Sequence, residues 1–495
     1  MRSTWITLAA SAAFVAAPYQ ARADDVAAQL ERMQERMNQL EDQLDATNDQ
    51  LAASEARAAE QQRLIERAGL EDRSAVSGLA RFLEMTEISG FIAASYNYNF
   101  AHPSASALGT QAPWGVASPA DTVNGWNGGA LGLTAPLHSN PNTFQLDQLW
   151  FSLKKPATEA SRGGWGADIV FGTGADVANS WSWGWDDSSH IGSLPHLYQA
   201  YVAYLAPIAG GIEVQAGRWE TPLGAEPFRQ DRSFFVTRGL VWSLQPVNHT
   251  GLLFSGGLGE SFTWALGVAN QNGSTMVDTD NSKTGVGQVK WWGETITLAI
   301  NGMIGGDVYP ALLGIGRPGL PGNGNPGTPG IGRDADYVGM VDVVATWDPS
   351  DELSMWLNCD AIFTHGDGLP HNTVYAVAVA GRLAVTESTG FSLRGEYVRG
   401  DDVFDGSTVV AGDAAAMGLP TFAGATSIDL FSVTGTFDHR LAENLKVRLE
   451  GRYDIAYLDG APNRFFVADK DPGTVRSLFR RDDQVLGLVE MLYEF

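Results

Sequence analysis

The chain has one cysteine, Cys359, in 495 residues, so no internal disulfide can brace it. Cys359 lies in phase with Leu353, Met355, Leu357, Ala361 and Phe363, which reads as a small apolar filler rather than a reactive thiol. Beyond the N-terminal leader no stretch of about 18 consecutive apolar residues occurs, which excludes helical membrane spans. Positive charge is scarce: 32 Lys and Arg stand against 57 Asp and Glu, and a net charge of -25 argues against nucleic acid as a partner. Catalytic signatures are missing too, with no Gly-x-Ser-x-Gly, no phosphate-cradling Gly-Lys-Ser/Thr loop and no His-Glu-x-x-His. The 8 histidines are scattered without metal-ligand spacing, and His249 reads as structural. No catalytic residue, cofactor or metal is therefore expected.

What is present begins with a leader. Met1-Arg2, an apolar stretch from Trp5 to Ala17 and the small-x-small site Ala21-Arg22-Ala23 read as a secretory signal peptide, residues 1–23. Residues 24–70 are helical in pattern. Val26, Leu30, Met33, Met37, Leu40, Leu44, Thr47, Leu51, Ser54, Ala58, Gln61 and Ile65 follow alternating steps of four and three, the seam of an α-helical coiled coil about 65 Å long. Such a helix buries its stripe against copies of itself, or lies alone on another surface. Residues 71–87 read as a linker.

From Ile88 onward the period changes to two. Strands are expected near 88–100, 144–155, 164–173, 197–207, 210–219, 249–257, 261–270, 284–292, 294–304, 336–348, 351–363, 374–386, 389–398, 427–438, 443–457 and 483–495. These make about 16 strands, and long connections alternate with short ones, as in an antiparallel transmembrane β-barrel with tight turns at one end. A mean hydropathy of -0.10 suits a barrel with a wet interior. In Leu445–Ile455 the alternation puts Lys446, Arg448, Glu450, Arg452 and Asp454 on one face, which implies a lumen wall beside water. The Gly/Pro-rich run 314–330 breaks its glycine phase and reads as an extended loop, not a triple helix.

The closing strand carries Val485, Val489, Met491, Tyr493 and Phe495 on one face and Leu486, Leu488, Glu490, Leu492 and Glu494 on the other, a mixed set that could line water. Its terminal Phe495, with Tyr493 two residues before, resembles the last strand of bacterial outer-membrane barrels, whose terminal aromatic is the signal read by the barrel-assembly machinery. An ordinary edge strand would leave an apolar edge open to aggregation.

The order Gln199-Ala-Tyr-Val, Gly217-Arg-Trp-Glu-Thr-Pro-Leu-Gly-x-Glu226 and Ser243-Leu-Gln-Pro-x-x-His-Thr-Gly251 resembles the OmpL-like β-barrel porin family, as does the opening strand Gly90–Asn99. The resemblance implies a porin over residues 88–495, in the outer membrane and surrounded by its lipid, and supplies neither solute nor binding residues. In general porins of sixteen strands the third outer loop folds inward, and by count residues 219–248 are that loop. Arg218, Arg229, Arg232 and Arg238 alternate there with Glu220, Glu226 and Asp231, a candidate pore constriction; the same residues could instead pair with one another and staple a surface loop. The expected function is passive diffusion of small hydrophilic solutes or ions, with weak cation preference. The coiled coil, in the periplasm, would oligomerise the barrel, a trimer being favoured. Alternatively it would act as a spacer or tether to peptidoglycan.

Overall fold

A computed structural model of the chain describes residues 82, 84–100, 136–138, 142–175, 178, 195–270, 282–307, 335–365, 372–401, 427–459, 466–467 and 479–495. The chain divides into two units, residues 1–85 and 86–495. The signal peptide, the coiled coil of 24–70, most of the linker and the Gly/Pro run all fall outside the described residues.

The second unit is a closed antiparallel barrel. Its strands are β1 (Glu87–Asn99), β2 (Thr143–Lys155), β3 (Gly163–Phe171), β4 (His196–Ala206), β5 (Ile212–Glu220), β6 (Asn248–Leu258), β7 (Phe262–Ala269) and β8 (Thr284–Trp292). They continue as β9 (Ile296–Asp307), β10 (Ala335–Trp347), β11 (Leu353–His365), β12 (Asn372–Thr386), β13 (Thr389–Asp401), β14 (Ser427–Ala442) and β15 (Leu445–Leu458). A short ribbon of β16 (Phe466–Val467) and β17 (Phe479–Arg481) stands apart, and β18 (Asp483–Glu494) completes the barrel. Within the barrel each strand pairs with the next, β15 passing over the ribbon to β18, and β18 closes on β1 from Phe91 opposite Glu494 to Asn99 opposite Leu486. Closure leaves no unpaired edge, the condition for crossing a bilayer with strands.

The expected strand positions match to within a few residues. One shift has a visible cause: the fifth strand starts at Ile212 rather than 210, because Ala209, Gly210 and Gly211 turn through φ of 50°, 81° and 106°. The left-handed region suits the two glycines and ends the turn before pairing resumes.

Alternation then sorts the side chains. Outward positions such as Leu252, Leu266, Val289, Ile300, Val341, Val379, Leu393, Val433, Leu449 and Val489 form an exposed apolar belt. Aromatics flank it at both heights: Phe144, Tyr337, Phe363, Tyr375, Phe431 and Tyr457 at the end with long connections, and Tyr204, Phe262, Trp292, Trp347, Phe391, Phe437, Tyr493 and Phe495 at the short-turn end. An apolar band between two girdles is what a lipid-facing barrel surface requires. Cys359 sits on this outer face rather than in a packed core, since Asn358 and Asp360 beside it point inward and are buried.

At the seam, Gly90 and Phe495 exchange two backbone hydrogen bonds of 2.9 Å, and the Phe495 ring meets Phe151 edge-on with centroids 5.8 Å apart. A Cβ on Gly90 would collide with the Trp150 carbonyl and the Phe495 ring. Gly90→Val is therefore expected to cost about 1–3 kcal/mol and lower the temperature at which the folded, heat-modifiable band is lost on gels. Deleting Tyr493 to Phe495 should deplete that band altogether, and normal levels after deletion would refute a closing role for these residues.

Candidate functional site

Strands β5 and β6 pair up to Glu220 opposite Asn248, so residues 221–247 leave and return at adjacent points of the wall. This segment carries Leu223, Phe228, Phe235, Val236, Leu240, Val241, Trp242 and Leu244, all buried. A loop with that content cannot lie in water, and the barrel interior takes it in.

Its apolar side chains reach opposite sides of the wall. Leu223, Leu240, Val241 and Leu244 cluster with Ala269, Val286, Met303, Met340, Ile362 and Val374. Phe228, Trp242 and Val247 join Phe91, Trp150, Tyr198 and Leu492. Val236 packs with Leu486 and Leu488. Leu486, Leu488 and Leu492 thus face inward as expected but meet the loop, not water.

The polar side of the contact is an exchange between the loop backbone and charged wall side chains. Glu450 accepts the Val236 and Thr237 amides at 2.6 and 2.8 Å, and the hydroxyls of Thr237 and Thr436 at 2.5 and 2.7 Å. Asp342 accepts the Gly224 amide at 2.8 Å, Asn358 that of Ala225 at 2.9 Å, and Glu396 that of Val241 at 3.2 Å. Guanidinium groups take the carbonyls: Arg448 donates to Ser233 at 2.9 Å, Arg452 to Arg238 at 2.5 Å and Arg394 to Thr237 at 3.1 Å. Gln148 takes both roles, donating to the Phe228 carbonyl and accepting the Gln230 amide, each at 3.0 Å.

This corrects one expectation. Arg448, Glu450, Arg452 and Asp454 face the interior, yet they are 1%, 5%, 2% and 1% exposed, because the loop backbone and neighbouring side chains replace water around them. Arg452 also holds Asp454 at 2.8 Å, and Arg448 pairs with Glu490. Only Lys446, near the short turns, stays partly open to solvent.

The seven candidate constriction residues do not form two opposed rows. Arg218 is buried on β5, donates to the Tyr198 carbonyl at 3.2 Å and lies 3.2 Å from His196 Nε2. Glu220 accepts the Tyr198 hydroxyl at 3.1 Å. Glu226 pairs with Arg394 at 2.7 Å and accepts the Gly239 amide at 2.9 Å. Arg229 chelates Asp231 at 3.0 and 2.7 Å and lies 5.2 Å from the Trp150 ring centroid. Arg238 is wholly buried and binds the Phe228 carbonyl and Gln230. Burial raises the Glu226 carboxyl against the pull of Arg394 and Arg238, and lowers Arg238 to about 10. Arg232 alone of the four arginines is exposed.

The wall residues that grip the loop on other strands, Gln148, Asp342, Asn358, Arg394 and Glu396, lie outside the candidate site residues expected from sequence. Their signal was available, as each is polar at an inward phase of its strand. Among the described residues no cluster of His, Cys, Asp or Glu could hold a metal ion.

Glu450 is the clearest point of leverage. In Glu450→Ala the Val236 and Thr237 amides would lose their acceptor, at a cost of about 2–4 kcal/mol. Their hydrogen exchange should accelerate tenfold or more while the wall strands stay protected; unchanged protection would mean the loop is held by packing alone.

Among solved structures, the chain resembles OmpT, an outer membrane protein of Vibrio cholerae, at 11% identity over 83% of this chain and 97% of that one, TM-score 0.47. It also resembles the outer membrane channel DcaP of Acinetobacter baumannii, at 12% identity over 83% and 97%, TM-score 0.46, and an anion-selective porin from Comamonas acidovorans, at 9% over 83% and 99%, TM-score 0.46. No curated protein matches in sequence. The model of the family described as "Putative beta-barrel porin-2, OmpL-like" matches residues 85–495. The chain therefore belongs to this family of OmpL-like β-barrel porins, and its barrel is an outer-membrane channel fold.

Proposed function

We propose that the protein is a passive diffusion channel for small hydrophilic solutes or ions, filtered by residues 221–247. The observation that carries this reading is the loop itself, bonded inside the barrel to β2, β10, β11, β13 and β15. A segment so anchored sets the free cross-section by its own fold, and the wall need not move for solute to pass. The loop tip at Asp231 and Arg232, where solvent reaches, is then the selective surface, and the buried arginines serve as staples.

That division changes the charge argument. Arg229 is already neutralised by Asp231, and Arg238 is sealed from water, so neither adds its full charge to the field in the lumen. Arg232 opposes the acidic balance of the chain at the point solvent reaches. A weak cation preference that fades with salt is the expectation.

The test is single-channel recording in planar bilayers with reversal potentials. Arg232→Glu should strengthen cation preference several-fold with conductance little changed. Arg229→Ala should instead raise current noise, because it removes a loop staple. A correctly folded barrel that passes no current would overturn the channel reading in favour of a structural tether.

Oligomerisation through residues 24–70 belongs to the same proposal, with a trimer as the favoured state. Removing those residues should lower the oligomeric mass of the detergent-solubilised protein by sedimentation, and an unchanged mass would assign assembly to the barrel.

A further inference from the structure

At the short-turn end, under the tip of the inward loop, lies a cavity of about 250 Å³. Loop residues Asp231 to Phe234 form one side; the ends of β12, β14 and β15 and the turn at Glu387 and Ser388 form the other. Five cationic side chains line it, Arg232, Arg382, Arg440, Lys446 and Arg448, against three carboxylates.

Pairing makes the imbalance larger than the count. Asp231 is chelated by Arg229, which stands behind it. Asp438 is held by Arg382 at 3.0 and 2.7 Å, and Arg448 by Glu490. The Arg382 guanidinium lies where a Cβ on Gly390 would be, so this pair is fitted closely into the wall. What remains is Arg232, Arg440 and Lys446 against Glu387. Arg232 and Arg440 have no ion-pair partner among the described residues, and Lys446 has only Glu494 at 3.9 Å.

Arg440 and Lys446 are moreover directly opposite each other across β14 and β15. Like charges at facing positions of an antiparallel pair are destabilising, and here both project at an inward phase into the same cavity. One position further in, Asp438 faces Arg448, an opposite-charge pair, so the wall uses complementary charges where it packs and like charges where the cavity opens.

We infer that this cavity is a binding site for a small oxyanion, a carboxylate or phosphate group bridging Arg232 of the loop with Arg440 and Lys446 of the wall. Arginine offers such groups paired donors, and Ser233 and Ser388 also line the cavity with hydroxyls. Such a site would hold an anion against the loop tip and so couple occupancy to the position of Arg232. The inference does not require conduction, so a barrel that passes no current would leave it intact.

The experiment is calorimetric titration of the folded full-length protein in detergent with inorganic phosphate and, separately, succinate, at fixed ionic strength in chloride. Saturable binding of either probe is expected. It should weaken tenfold or more in Arg232→Gln/Arg440→Gln and stay within a few-fold in Arg440→Lys and in Arg399→Gln at the opposite end of the barrel. Heat modifiability verifies that each variant is folded, and Arg440→Lys against Arg440→Gln repeats the comparison should the double variant fail to fold. Failure of both probes to bind saturably would overturn the site, as would equal affinity in the Gln variants.

Discussion

The molecule depends on one exchange: the amides and carbonyls of residues 221–247 are matched by carboxylates and guanidiniums that point inward from the wall. A loop drawn into a barrel loses water from its backbone, and buried unpaired peptide groups are costly. Charged side chains on the wall would be equally costly without partners. Each set satisfies the other. Glu450 shows this most fully, with two amides and two hydroxyls around a single carboxylate.

This exchange also decides what kind of interior the barrel has. Charge on an inner wall would ordinarily indicate water. Here the charges on β13 and β15 bind protein, and the packed leucines of β18 meet loop side chains. The interior resembles a protein core threaded with ion pairs, and solvent is confined to what the loop leaves uncovered.

The wall was legible in the sequence because alternation is a local property: Leu449, Tyr453 and Tyr457 alternate with Arg448, Arg452 and Asp454 whatever surrounds them. Strand ends were legible to within the reach of turns such as Ala209 to Gly211. The inward loop could be placed by counting strands. Its partners could not be read, because Glu450 and Thr237 are 213 positions apart and nothing local to either specifies the other. Periodicity tells that Arg448 points inward; it is silent on whether water or a carbonyl waits there. Arg229 illustrates the same gap, since its ion pair with Asp231 is local but its place over Trp150 comes from β2.

The seam between β1 and β18 has a kinetic meaning. Asn99 and Gln484, whose side chains meet across it, are 385 positions apart, whereas every other join links strands that follow one another around the barrel in chain order. Bringing such distant segments together costs about 5 kcal/mol in chain entropy before any contact rewards it. Hairpins can zip early and independently, but this join must wait until the sheet has curled on itself. Until then two open strands present free amides and carbonyls to any other extended chain nearby. The interval before closure is thus when the protein is most exposed to mispairing, and whatever escorts it to the membrane has that edge to guard.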